Sequence, residues 1–310
     1  MEKELQTVLK TIVYFDIFDY PLTLMELFKW LKVEPNENLT INQLSQLIEL
    51  LNQLGDKVEQ HDGFIFLKGR SEIINLRLNR YNIAEEKFKH AGRFIKLLRF
   101  IPYIKCIVVC NRLGYGNVWE ESDIDLAVIV PKNRLWLSRL LSVGLLDLLK
   151  VRPKQIERPL AIDLNFFISQ ENFNLENLIF DEAFVFPYWL SQIIPVYDHE
   201  IFAKFITGNG WLKKYLPNFL PYELITRRQV KDNWLSKIIR FKIKLLTNFD
   251  FLEKWSERYQ RRVMPLELKD KINQDSRVII NQDILKFHQS ENWHKLKITL
   301  AERVAELNLN

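Results

Sequence analysis

The chain has 310 residues, 47% hydrophobic and 27% charged, with a net charge of +5 and a pI near 9.0. Nine glycines and eleven prolines exclude a low-complexity chain, and the length suggests two or three domains. The mild basic excess is compatible with a polyanionic partner without requiring one.

Met1-Glu2-Lys3-Glu4 leads into a mixed polar and apolar segment, so no signal peptide is expected. A first helix is expected over about 3–18, ending before Asp19-Tyr20-Pro21. "TLMELFKWLK" then places Thr23 three residues before Glu26, a capping box that marks a helix start. "TINQLSQLIELLNQLG" repeats the signature with Thr40 and Gln43. It carries Ile41, Leu44, Leu47, Ile48 and Leu51 at helical spacing and stops at Gly55. "KVEQHDGFIFLKG" follows as two short strands around His61-Asp62-Gly63. Three helices and a hairpin over residues 1–70 are the order of a winged helix-turn-helix.

Residues 71–100 read as a basic helix. Next come the strand "IKCIVVC" (104–110), a loop with Gly114 and Gly116, and the strand "DIDLAVIV" (123–130), closed by Pro131. The most apolar window, 135–151, is interrupted by Arg139 and Asp147, so we expect a buried helix and no membrane span. A third strand, "LAIDLNFFIS" (160–169), completes an α/β pattern over 71–170. From 171 to 310 the chain reads as mainly helical, which makes the whole α+β with a small mixed sheet at its centre. Cys106 and Cys110 lie four residues apart on one strand, about 13 Å at ~3.3 Å per residue. That is too far for a disulfide and suits reduced, buried thiols in a cytoplasmic protein.

Within "VVCNRLGYGNVWEESDIDLAVIV" (108–130), Asp123 and Asp125 share one strand face, while Ile124 and Leu126 point to the core. On the third strand Asp163 and Asn165 share a face, and Ile162, Leu164 and Phe166 are expected on the other. If the strands are neighbours, Asp163 joins the pair. Three converging carboxylates repel, so they call for a cation or a raised pKa. Oxygen-rich sites suit Mg²⁺, which bridges to substrate phosphates, and a pair of such ions serves phosphoryl transfer. The bland alternative is a pair of strand-end carboxylates that cap a turn or pair with Arg112 or Lys105.

A Gly loop, Asp-x-Asp seven residues beyond Gly116, Ser122 directly before the pair, and a later strand Asp resemble the nucleotidyltransferase superfamily that includes DNA polymerase beta. The resemblance covers about residues 100–170. It implies that Asp123 and Asp125 bind two Mg²⁺ ions, and that Asp163 helps one of them activate the incoming hydroxyl. It further implies a nucleoside triphosphate as substrate, with Asn111, Arg112, Gly116 and Ser122 shaping the phosphate side. The family keeps Gly-Ser where this chain has Asn111-Arg112. Asn tolerates left-handed backbone angles and partly replaces Gly. Arg112 suits either a bidentate phosphate contact or an ion pair to the carboxylates, and its bulk could obstruct the nucleotide. The whole chain resembles bacterial nucleotidyltransferase-like proteins that pair such a loop with an N-terminal winged helix.

In the helix-turn-helix, Asn42, Gln43, Ser45, Gln46, Glu49, Asn52 and Gln53 offer no Lys or Arg, so weak DNA affinity is expected. Domain packing or protein contact suits that unit at least as well. "RRQVKDNWLSKIIRFKIKLL" (227–246) is basic and amphipathic. It fits a nucleic-acid acceptor, an anionic membrane surface, or a charged face over a packed apolar one. Histidines 61, 90, 199, 288 and 294 show no ligand spacing, and no catalytic triad or Walker-type loop occurs. The sequence therefore points to a metal-dependent nucleotidyltransferase acting on an unknown acceptor, nucleic acid or protein among the candidates. The alternatives are a non-catalytic regulator on the same fold and a DNA-binding transcription factor.

Overall fold

The computed structural model describes residues 2–35, 37–153, 160–179, 185–221, 225–287 and 293–307. His288 and the side chain of His294 lie outside the described residues. The described chain is mixed α/β, with twelve α-helices and two sheets of three and six strands.

The first helix, α1 (Glu2–Asp16), buries Val8, Leu9, Ile12, Val13 and Phe15 and stops where Asp19 takes a left-handed φ of 50°. β1 (Leu22–Thr23) feeds α2 (Leu24–Lys29), and the Thr23–Glu26 capping box forms as its spacing predicts. α3 (Leu44–Gln53) starts later than Thr40 suggested. Gln46 reaches back to the N–H groups of Asn42 and Gln43, while the Thr40 hydroxyl donates to Glu4 instead. Leu47, Leu50 and Leu51 form its inward face, whereas Ile48 is exposed. β2 (Val58–His61) and β3 (Phe64–Leu67) make the expected hairpin, and the sheet runs β1-β3-β2, all antiparallel.

α4 (Glu72–Leu98) leads to β4 (Cys106–Val109), a single-turn helix α5 (Asn111–Gly114), β5 (Ile124–Val130), α6 (Leu135–Leu148) and β6 (Ile162–Ser169). After them come α7 (Phe186–Ser191), β7 (Ile194–Asp198), α8 (Phe202–Gly208), α9 (Trp234–Thr247), α10 (Asp250–Val263) and α11 (Leu266–Lys269). β8 (Val278–Ile280), β9 (Ile284–Phe287) and α12 (Trp293–Glu306) complete the described chain. The six-stranded sheet is ordered β7-β4-β5-β6-β9-β8 and is antiparallel except for the β5–β6 pair. The described part of 171–310 is mainly helical, as expected, but it also supplies three strands the sequence reading missed, β7, β8 and β9. These strands are three to five residues long, too short for alternation to separate them from loop.

The sheet is buried on both faces. Ile107, Val109, Ile124, Leu126, Val128, Ile162 and Leu164 pack toward α4 and α6. Val108, Ala127, Ile129, Phe166 and Ile168 pack with α1, α2 and residues 175–219. Phe166 therefore lies opposite Leu164 in facing, not beside it as strict alternation predicts. The β5–β6 register steps from Leu126↔Leu164 to Ala127↔Phe166, leaving Asn165 as the extra residue of a bulge. Among the described residues, no helix is long and apolar enough to cross a membrane. Cys106 and Cys110 are buried and free, as their spacing requires.

One ion pair ties the N-terminal layer to α4. Arg77 Nη1 and Nη2 each donate to Glu26 at 2.8 Å, and the guanidinium lies 4.2 Å from the Tyr20 ring centroid. Both charges are largely buried, so removing one strands the other. Arg77→Ala should lower unfolding stability by about 3 kcal/mol in urea titration. The paired change Arg77→Met with Glu26→Gln should recover part of that loss.

Candidate active site

Parallel pairing puts Asp125 directly opposite Asp163, and Asp123 lies two residues back on the same face. All three side chains sit at the N-terminal ends of their strands, on the side of the sheet that faces α1. A cleft of about 480 Å³ opens there between the sheet edge, α1, α7 and α12. Asp123, Asp125, Asn111, Arg112 and Ser122 line it, with Lys286 from β9 and Lys295 from α12. Tyr14, Phe18, Phe166, Phe186 and Trp189 form its aromatic walls. That volume falls in the range of small-molecule sites.

Asp163 is adjacent to the cleft rather than part of its lining. Its carboxylate accepts the Asn165 amide. Burial raises its pKa, with Arg152 opposing and Asp123 adding to the rise. Burial also lifts Asp125 from 3.8 to about 7; the Asn111 amide opposes this, while the charges of Asp163 and Asp123 add to it. Among the described residues, no group of three or more His, Cys, Asp or Glu side chains is gathered as a metal cage. Two carboxylates, Asp123 and Asp125, are what the cleft offers a cation. Lys105 belongs to the far end of β4, where its N–H bonds Ile129, and it is no partner for these aspartates.

The loop before the carboxylates is held from several sides. Asn111 adopts φ 56°, so it takes the left-handed conformation that a glycine would have served. Its Oδ1 accepts from Trp189 Nε1 at 2.7 Å and its amide bonds Asp125, which fixes the side chain between the two. The Arg112 guanidinium lines the cleft and lies over the Trp119 ring at 4.1 Å, a cation–π contact. Gly116 has φ +76°, and Ser122 Oγ accepts from the Trp119 N–H at 3.1 Å. Ser122 thereby closes the turn by which the chain enters β5.

Several residues at this site had no sequence signal. Lys87 of α4 is fully buried and donates to the carbonyls of Glu120 and Ser122 at 2.9 and 2.6 Å. Arg80 donates to Asn117 Oδ1 at 2.8 Å and to the Phe18 carbonyl, and Tyr20 Oη donates to the Tyr115 carbonyl. The N-terminal layer is thus wired to the loop 115–122. Lys286 and Lys295 come from a region read only as helical tail, and nothing in the local pattern singled them out.

Comparison with known proteins yields no match: no family model, no curated protein and no solved structure is similar enough to assign the chain to a family.

Two outcomes follow from this geometry. A Cβ on Gly114 would stand 2.3 Å from the Gln192 carbonyl oxygen, a contact that backbone must relieve. Gly114→Ala should cost about 1–3 kcal/mol in chemical denaturation. For Asp125, the folded chain holds the proton more tightly than the unfolded chain does. Ionisation therefore costs stability, a cost that begins above the ordinary carboxylate value of 3.8 and is complete above about 7. With divalent cations chelated, Asp125→Asn should melt a few degrees higher than the parent above pH 7, at about 2–4 °C per kcal/mol. The gap should close as pH falls toward 4; a gap that is constant with pH would refute the buried ionisation.

Proposed function

We propose that the chain is a metal-dependent nucleotidyltransferase, moving a nucleoside monophosphate from an NTP to a hydroxyl or phosphate of an acceptor and releasing pyrophosphate. The observation that carries this reading is one cleft lined both by Asp123 and Asp125, from one strand face, and by Lys286 and Lys295. Mg²⁺ is commonly bound by one or two carboxylates plus substrate phosphates, so two aspartates without a closed cage fit it. When bound, Mg²⁺ neutralises phosphate charge and lowers the barrier to displacement at phosphorus. Lys286, Lys295 and Arg112 would meet the triphosphate oxygens, and Phe166, Phe186 and Trp189 would stack on the base. Asp163, with its raised pKa, is suited to take the acceptor proton at Oδ1. The acceptor oxygen then bonds the α-phosphorus as its bond to the bridging oxygen breaks, and the pair of electrons leaves with pyrophosphate.

The N-terminal layer has the element order α1-β1-α2-α3-β2-β3 of a winged helix. Its α3 carries no Lys or Arg, and its Phe18–Tyr20 turn is bonded to the loop beside the carboxylates. Both points favour a role in shaping the cleft over reading DNA. Reduced, buried Cys106 and Cys110 suit the cytoplasm.

One observation favours a second reading. Asn111 is committed to Trp189 and Asp125, and Arg112 to Trp119, so the phosphate loop is already filled by its own side chains. A regulator that binds nucleotide without turnover would tolerate this.

Calorimetry with ATP, CTP, GTP and UTP, each with and without Mg²⁺, tests both. The enzyme reading expects Mg²⁺-dependent binding that is abolished in Asp123→Asn/Asp125→Asn with the circular dichroism unchanged. It also expects transfer of label from an NTP to a component of a cell extract. Nucleotide binding without transfer supports the regulator, and unchanged binding in the double variant overturns the carboxylate site altogether.

A further inference from the structure

α9 and α10 dock onto the body by their polar sides. Ser236 is buried, and Arg240 of α9 donates to Asp232 at 2.9 Å, Tyr197 Oη at 2.6 Å and the Ile104 carbonyl at 3.1 Å. On α10, Glu253 accepts the N–H groups of Trp136 and Leu137 at 2.9 Å each, and Gln260 donates to the Trp136 carbonyl at 2.7 Å. The apolar stripes are left outside. Trp234, Phe241 and Leu245 follow one face of α9, with Trp234 73% and Phe241 63% exposed. Phe251 and Trp255 follow one face of α10, and Leu246 at the corner between the helices is 75% exposed. The expectation of a charged face over a packed apolar one fails here, because the packed face is the polar one.

The charge on this segment is equally one-sided. Between Lys231 and Val263 nine basic residues stand against four acidic ones, an excess equal to the +5 of the entire chain. All four of those acids are engaged: Asp232 by Arg240, Asp250 by Arg134, Glu253 by backbone amides, and Glu257 by Arg261. Lys237, Lys242, Lys244, Lys254 and Arg258 remain exposed around the stripes.

We propose that this face seats on an anionic lipid bilayer surface, with the corner Leu245–Phe251 entering the headgroup–acyl boundary and the surrounding lysines meeting lipid phosphates. Exposed tryptophan, phenylalanine and leucine fringed by lysine are the chemistry of an interfacial helix. Two alternatives fit less well. A second copy bound through the same patch would bring two basic faces together. A nucleic acid would engage the aromatics by stacking and leave Leu245 and Leu246 in water.

The test is co-sedimentation of the full chain with vesicles of phosphatidylcholine alone and with about one-third phosphatidylglycerol. Binding is expected to the phosphatidylglycerol vesicles, with release at high salt. Leu246→Glu with Phe251→Glu should abolish it while the circular dichroism is unchanged. Lys242→Gln and Lys244→Gln should each weaken it about fivefold. The proposal fails if the chain stays in the supernatant at low salt, binds neutral vesicles equally, or keeps its affinity in the Leu246/Phe251 variant. It also fails if the patch instead mediates a dimer or salt-sensitive nucleic-acid binding while vesicles are ignored. None of these results depends on nucleotide turnover.

Discussion

The parallel pairing of β5 with β6 is the constraint from which the site follows. Antiparallel neighbours could have been joined by a tight turn, but a parallel pair needs a crossover, and α6 lies within that crossover. The same pairing sets Asp125 opposite Asp163, so two carboxylates are forced into one low-dielectric corner. Each is then disfavoured as an anion, and the surroundings respond with Asn111, Asn165 and Arg152. The pair is thus compensated from its own neighbours. The bulge at Asn165 belongs to the same arrangement, since it returns Phe166 to the cleft wall beyond the carboxylates.

Much of this frame was legible in the sequence, for physical reasons that differ by element. Thr23 and Glu26 announced α2 because a capping box is a local, two-residue device whose partners lie within one turn. The β5 face was legible because Asp123 and Asp125 alternate with Ile124 and Leu126 at its start. β6 kept its length but lost its phase at Asn165, as bulges are set by the neighbouring strand and not by the strand's own residues. β7, β8 and β9 were illegible, being short and stabilised by partners far along the chain.

The candidate site divides the same way. Asp123, Asp125 and Ser122 were legible as neighbours because their spacing is local, and all three line the cleft, whereas Gly116 does not. Lys286 and Lys295 reach the cleft from more than 150 residues away, and only the tertiary fold brings them there. For α9 the periodicity correctly announced two faces. Which of them turns inward depends on Asp232, Tyr197 and the carbonyls that Arg240 meets, and periodicity carries no such information.

The last helix has a consequence for the order of assembly. α12 closes the cleft against α1: Arg303 pairs with Asp16 at 3.2 Å, and Lys57 donates to the Leu307 carbonyl at 3.2 Å. On the ribosome, the first helix waits through the synthesis of nearly all the described residues before its partner emerges. The N-terminal layer can form early, being closed within about seventy residues. The cleft cannot, because one wall is made last, and contacts of such long sequence separation form late in folding. Until α12 is made, Tyr14 and Phe18 therefore face a cleft that lacks the wall of Leu296 and Thr299.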